Sequence, residues 1–161
     1  MKPNRLIVLL AMGLLAIGAL GQKAATDQSG TETNIALLRS DVQAQKTDII
    51  AHTIQLTDAQ GKVFWPLYRK YANRQQIIGD DRANVIKDYA EHYESIDDAK
   101  ADELMGRMLK YDQARAVLRT EYYPKFKSAL GAKQAAKFLQ VDNRLTLIVD
   151  LQIAAAIPII E

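Results

Sequence analysis

The sequence predicts an all-α fold of four amphipathic helices that form long antiparallel hairpins. Apolar residues recur at spacings of three and four, the helical period, along most of the chain after residue 34. No segment shows the alternation of β-branched and polar residues that is typical of a strand. Spacings that alternate between three and four also favour near-parallel helix packing at shallow crossing angles.

Each predicted helix is traced by its own set of apolar residues. The first runs to about His52 and the second to about Glu94. The tracing residues are Ile35, Leu38, Val42 and Ile49 in the first helix; Phe64, Leu67, Tyr71, Ile78, Val85, Tyr89 and Tyr93 in the second; Leu104, Met108, Tyr111, Leu118 and Tyr122 in the third; and Phe138, Val141, Leu145 and Ile148 in the fourth.

Composition and charge exclude several classes of protein. The chain has 161 residues, 48% apolar and 25% charged, which is ordinary for a globular domain and excludes wholesale disorder or a polytopic membrane protein. Its net charge of +2 comes from Lys2 and Arg5, and the rest of the chain carries 19 basic and 19 acidic residues. A general nucleic-acid binder needs a net basic domain, so we expect no nucleic-acid partner.

The first 21 residues have the pattern of a signal peptide. A cationic start over residues 1–5 precedes an apolar run over 6–20, and Ala19 and Gly21 place small residues before the expected cut after Gly21. An uncleaved anchor is the alternative, and the only expected route to a membrane, but the run is shorter than the ~20 residues that span a bilayer. We therefore expect export with cleavage of this segment after Gly21.

The remaining chain is expected to hold a tether over residues 22–33 and a single helical domain over residues 34–161. The tether is rich in Gln, Thr, Ser, Gly and Ala. The sequence has no cysteine, so neither a lipidated cysteine nor a disulfide is available. An exported domain of this kind has to be stabilised by its apolar core.

The predicted helix starts carry the most specific pattern in the chain. In the run from Leu56 to Gln60, the Thr57 hydroxyl and the Gln60 side chain are spaced to form a reciprocal capping box. Asp97 is expected to cap the third helix, and Gly131 takes the cap position of the fourth. A structural role in helix capping is the main interpretation of these residues.

These motifs resemble those of the LTXXQ-motif (Spy/CpxP-like) family of periplasmic proteins. Leu56, Thr57 and Gln60 match the first motif, and Leu130 and Gln134 match a degenerate second copy. The resemblance implies a divergent member: a cradle-shaped helical homodimer that binds unfolded or misfolded envelope proteins without ATP. For one branch of this family, the resemblance also implies that the protein restrains a sensor kinase.

Two interior prolines, Pro66 and Pro124, are expected to kink the second and third helices. Both lie among aromatic residues, which either fill the core beside each kink or line a concave face that binds unlike clients. The tyrosines proposed as client-binding candidates on the second interpretation are Tyr68, Tyr71, Tyr122 and Tyr123.

Three arginines, Arg74, Arg82 and Arg115, fall close to the apolar seams of the second and third helices. A buried charge there is costly unless it is paired. Either the arginines lie at the edge of the core with acidic partners, or they face a client groove and favour acidic, partly apolar segments.

No motif indicates an enzyme or a cofactor. The chain has no cysteine nucleophile, no phosphate-binding glycine loop and no nucleotide fingerprint. Asp88 and His92 stand four residues apart, but two ligands are too few for a zinc site, so no metal ligand is assigned. One alternative to a chaperone is a structural or signalling module with one dedicated partner. The family resemblance implies another, a weak metal-binding resistance protein.

The apolar C-terminal end of the sequence is the last feature with a structural prediction. A helix should stop before Pro158, which leaves Ile159 and Ile160 on an extended segment. Because exposed isoleucines favour aggregation, we expect this segment to pack, either onto the long helices or across a dimer interface.

Overall fold

The structure is a computed structural model that describes residues 43–160. The predicted signal peptide, the tether and the expected start of the first helix near Ile35 lie outside these residues. The described range contains four helices and no strand, which confirms the all-α prediction. Its elements are α1 (43–54), α2 (Asp58–His92), a 3₁₀ turn (Tyr93–Ser95), α3 (Asp98–Leu130) and α4 (Ala132–Ala156).

The start of α2 contains the predicted capping box. The Gln60 backbone N–H donates to the Thr57 hydroxyl at 3.3 Å, and the Thr57 backbone N–H donates to the Gln60 side-chain oxygen at 3.1 Å. Two of the backbone donors that a helix start leaves without partners are thereby satisfied.

The other two helix starts also agree with the sequence. The Lys100 backbone N–H donates to the Asp97 carboxylate at 2.8 Å, so Asp97 caps α3. Gly131 ends α3 and begins α4 with a φ of +81°. This left-handed φ favours glycine and lets a single residue reverse the chain between two long helices.

The two interior prolines do not interrupt their helices. α2 runs through Pro66 and α3 runs through Pro124. Both proline rings are exposed, whereas the neighbouring Phe64 and Phe126 are fully buried. Kinks at these positions stay a prediction.

Side-chain pairs fix the order in which the helices pack. Arg74 and Asp88 on α2 contact Glu121 and Arg107 on α3, so the contacts run in opposite order along the two helices and the pair is antiparallel. α4 then returns along α3, with Arg115 against Asp150 and Arg119 against Asn143. None of the described helices is long and apolar enough to cross a membrane.

An aromatic cluster forms the core at the end where α1 packs. Its closest pair of rings is Phe126 and Phe138, with centroids 4.5 Å apart. Burial of these large apolar rings stabilises the fold, and each pair of rings in contact adds about 0.5–1.5 kcal/mol to that stabilisation. The rings and the α1 side chains that cover them are Phe64, Tyr68, Tyr71, Tyr122, Phe126, Phe138, Ile50 and Ile54.

Candidate functional site

Three of the four candidate tyrosines lie in the core. Tyr68, Tyr71 and Tyr122 are at most 5% exposed, whereas Tyr123 is half-buried between α3 and α4. Burial raises the pKa of the Tyr68 phenol above its usual value, and burial together with the nearby Asp142 carboxylate raises the pKa of Tyr71 further. Of the four candidate tyrosines, Tyr123 is the one that presents part of its ring to the surface.

The motif residues connect helix ends to one another. Leu130 is buried, and Leu56 packs against the same core. The Gln60 side-chain amide donates to the Leu130 carbonyl at 3.5 Å, and the Gln134 amide donates to the Ile54 carbonyl at 3.2 Å. Both motif glutamines therefore satisfy the carbonyl groups at the ends of neighbouring helices.

Arg74 lies at the exposed edge between α2 and α3. Its guanidinium donates to the Glu121 carboxylate and lies 5.7 Å from the centre of the Tyr122 ring. Hydrogen bonds from Lys125, which has the larger effect, and from Arg74 lower the pKa of Glu121 below its usual value. Arg74 thus has an acidic partner and covers one edge of a buried tyrosine.

Arg82 and Arg115 share one carboxylate, that of Asp150 on α4. Arg82 and Arg115 both donate to Asp150, the latter at 3.2 Å, and each guanidinium lies 5.3 Å from the centre of the Tyr111 ring. The pairing of all three arginines with acidic residues agrees with the first of the two interpretations of the sequence.

A second acidic residue of α4, Asp142, is the hub of a buried polar network. Its side chain is 2% exposed and lies 2.7 Å from the Lys46 ammonium group of α1. Tyr71 donates its hydroxyl to the same carboxylate at 2.8 Å, and the Gln75 amide donates at 3.0 Å. This network links α1, α2 and α4 at one point.

Asp142 and Asp150 were not among the residues predicted from the sequence, although a signal was present. They are the only acidic residues of α4 and stand eight positions apart, about 80° around the helix. Asp142 shares its face with the buried core residues Phe138 and Leu145, four positions before it and three after it. A lone carboxylate on an apolar face indicates a cationic partner elsewhere in the chain.

The Asp88 and His92 pair belongs to an ion-pair cluster at the tip of the α2 and α3 hairpin. Lys100 and Arg107 both contact Asp88, and their hydrogen bonds lower the pKa of its carboxyl group. His92 lies 3.0 Å from the same carboxylate. Within residues 43–160, no group of three or more His, Cys, Asp or Glu residues is placed to hold a metal ion.

The segment over residues 157–160 leaves α4 in an extended conformation. α4 ends at Ala156, as expected from Pro158, and Ile157 has φ −101° and ψ 120°. The Tyr89 hydroxyl donates to the Pro158 carbonyl at 2.7 Å, and the Tyr93 hydroxyl donates to the Ile159 carbonyl at 3.3 Å. Tyr89 near the end of α2 and Tyr93 in the 3₁₀ turn that follows it therefore hold this segment by its backbone.

An apolar depression between α2 and α3, which we call the hairpin groove, receives side chains of this segment. It has a volume of about 150 Å³ and is lined almost entirely by apolar atoms. Ile157 and Ile160 line it, while Ile159 is 87% exposed. The other lining residues are Val85, Ile86, Tyr89, Ala101, Leu104, Met105 and Met108.

The arrangement binds an extended apolar segment by two kinds of contact at once. Hydroxyl groups donate to backbone carbonyls, which every residue has, and the apolar groove accepts side chains. The backbone of the C-terminal segment and the Ile157 side chain thus contact the long helices of the same chain, as expected, but Ile159 and Ile160 stay 87% and 46% exposed, so the expected packing of these two side chains is not seen. Tyr89 and Tyr93 follow Val85 at helical spacing, but spacing alone does not distinguish a core tyrosine from one at the surface.

Comparison with known proteins gives no assignment, because no family model, no curated protein and no solved structure matches this chain.

Proposed function

We propose that this protein is an exported, ATP-independent binding protein that captures extended apolar segments of unfolded proteins in the hairpin groove. The observation that carries the proposal is the way the groove holds residues 157–160. That segment is extended and apolar, and it is bound through its backbone carbonyls by Tyr89 and Tyr93. An unfolded client presents the same chemistry.

The chemistry of the groove suits clients of unlike sequence. Carbonyl recognition by hydroxyl groups does not depend on the client's side chains. Met105 and Met108 line the groove, and methionine side chains adapt to irregular apolar surfaces. Met105 and Leu109, one turn apart on α3, are more than half exposed and extend the apolar surface beyond the groove.

A client has to displace residues 157–160, and their attachment is light. It consists of two tyrosine hydrogen bonds and the partial burial of Ile157 and Ile160 in the groove, whereas Ile159 is 87% exposed. A hydrogen bond of this kind contributes about 0.5–1.5 kcal/mol. A client that buries more apolar surface than this segment does displaces it.

The sequence supports export and the chaperone class independently of the groove. The first 21 residues have the pattern of a cleaved signal peptide, and the motifs at Leu56–Gln60 and Leu130–Gln134 resemble those of periplasmic LTXXQ proteins. We therefore assign the clients to the cell envelope.

A matched pair of variants tests the proposal. Met105 and Val117 lie on α3 and are 57% and 55% exposed, but only Met105 lines the groove. Met105→Glu places a charge in the groove, whereas Val117→Glu places one on the exposed surface outside it. The assay is suppression of aggregation of two unrelated unfolded proteins, without ATP.

We expect the unmodified protein and Val117→Glu to protect both clients, and Met105→Glu to lose most of this protection. Equal protection by the two variants would place the client surface elsewhere. If the unmodified protein protected neither client, the chaperone function would be rejected. The remaining interpretation would then be a structural or signalling module with one dedicated partner.

A further inference from the structure

A second cavity lies between α2, α3 and α4, and it shares no lining residue with the hairpin groove. Its volume is about 120 Å³. Because a cavity of about 150 Å³ accommodates benzene, this volume suits a ligand of roughly five non-hydrogen atoms. The lining residues are Tyr71, Gln75, Ile78, Tyr111, Arg115, Leu118, Arg119, Asp142, Asn143 and Thr146.

The side chains around this cavity carry an excess of positive charge. Among the lining residues, Arg115 and Arg119 are cationic and Asp142 is acidic. Lys46 pairs with Asp142, and Arg115 shares the single carboxylate of Asp150 with Arg82, although these partners do not line the cavity themselves. Half-buried cations without enough counter-charge attract an anion.

Arg119 is the cation with the least compensation. Its side-chain hydrogen bond goes to the neutral amide oxygen of Asn143 at 2.8 Å, and no carboxylate among residues 43–160 forms an ion pair with it. The neighbouring Arg115 shares Asp150 with Arg82. Among the lining cations, Arg119 is therefore the one whose charge no carboxylate of residues 43–160 offsets.

The Asp142 carboxylate does not supply the missing acceptor, although it lines the cavity. One of its oxygens contacts Lys46 at 2.7 Å, and the other accepts the Tyr71 hydroxyl at 2.8 Å. Gln75 donates to the carboxylate as well. Asp142 is thus engaged by α1 and α2 and leaves Arg119 uncompensated.

We propose that this cavity binds a small organic monocarboxylate, with its carboxylate on Arg119 and its apolar end against Ile78 and Leu118. The planar guanidinium of arginine matches a carboxylate through two parallel hydrogen bonds. The apolar wall favours an organic anion over a fully hydrated inorganic one. This site is independent of client capture in the hairpin groove.

Propionate is a suitable probe because it has the expected size, and propionamide is its neutral counterpart. For so small a ligand we expect a dissociation constant on the order of 1 mM. Calorimetric titration and thermal unfolding at constant ionic strength measure binding. We expect propionate to raise the unfolding temperature by roughly 4 °C at ten times the dissociation constant, and propionamide to leave it unchanged.

Three variants locate the site. Arg119→Met removes the anchoring charge, Thr146→Leu fills the cavity without changing its charge, and Arg144→Met removes an exposed α4 arginine that does not line the cavity. Among residues 43–160, the Thr146 hydroxyl bonds only to the Asp142 backbone carbonyl of its own helix, so its loss breaks no hydrogen bond between the described helices.

We expect Arg119→Met and Thr146→Leu to weaken propionate binding at least tenfold, and Arg144→Met to leave it unchanged. If Arg119→Met fails to fold, the affinity of Thr146→Leu for propionate tests the proposal in its place. The proposal is overturned if propionate and propionamide act alike, or if a folded Thr146→Leu variant binds propionate as well as the unmodified chain does.

Discussion

The Tyr71 hydroxyl on α2 donates a 2.8 Å hydrogen bond to the Asp142 carboxylate on α4, two positions that are 71 residues apart in the chain. Both side chains are buried, and Lys46 brings α1 to the same carboxylate. One carboxyl group thus joins α1, α2 and α4 beside the aromatic core. Buried polar networks of this kind are favourable only when every member has a partner.

Asp142 is the polar residue whose replacement should destabilise the fold most. Asp142→Ala leaves Lys46 without its counter-ion and should lower the free energy of unfolding by about 3 kcal/mol, measured by urea denaturation. The double variant Lys46→Met with Asp142→Leu should recover most of this loss, because it removes both charges. Equal losses in the single and double variants would show that the ion pair is not the cause.

Thr57→Ala should cost about 1 kcal/mol of stability, since it removes the α2 cap. Thr120→Ala is the matched control: its hydroxyl bonds only to a carbonyl of its own helix, so we expect little change. Thermal unfolding measures both variants. Loss of client protection in Thr57→Ala without a change in melting temperature would instead make Thr57 a client contact.

The helices and their caps could be predicted because both depend on residues close in sequence. Thr57 caps a helix through Gln60, and Pro158 ends one by its own geometry. The candidate sites could not be predicted in the same way, because their contacts join residues that are far apart in the sequence. Tyr71 and Tyr123 look alike in the sequence, yet one is buried beneath α4 and the other is half-buried at the surface.

The same limit applies to charged residues. Helical spacing predicts that Arg82 and Arg115 lie near an apolar seam, but it does not identify their shared partner Asp150. That pairing depends on the register of both α2 and α3 against α4. Pro158 predicts the extended segment over 157–160, whereas nothing in the sequence distinguishes the two tyrosines that hold it from core residues.

Replacing Arg74, Arg82 and Arg115 together by Gln should lower the melting temperature, because Asp150 loses both of its arginine partners and Glu121 loses Arg74 while it keeps Lys125. Since these charges are already paired, the salt dependence of client association should change little. Stopped-flow association at several salt concentrations measures it. Loss of most of the salt dependence would show that the arginines line the client surface.

Asp88 should contribute stability that is lost in acid. Lys100 and Arg107 lower its pKa in the folded protein, so its contribution is complete above the unfolded value of about 3.9 and disappears as the pH falls through the folded pKa. Asp88→Asn should therefore flatten the decline in stability below about pH 5. Asp112→Asn, at an exposed position that forms no ion pair among residues 43–160, is the control. If the stability of the unmodified protein and that of Asp88→Asn fell with pH in the same way, Asp88 would not be the source of the acid sensitivity.

The most direct test of client capture is the affinity of a labelled unfolded protein for the chain with and without residues 157–161, measured by fluorescence anisotropy. If that segment occupies the client site, its deletion should tighten binding severalfold. Replacing both Tyr89 and Tyr93 by Phe in the shortened chain should then weaken binding, because the client carbonyls lose their donors. Unchanged or weaker binding by a folded shortened chain would contradict the account.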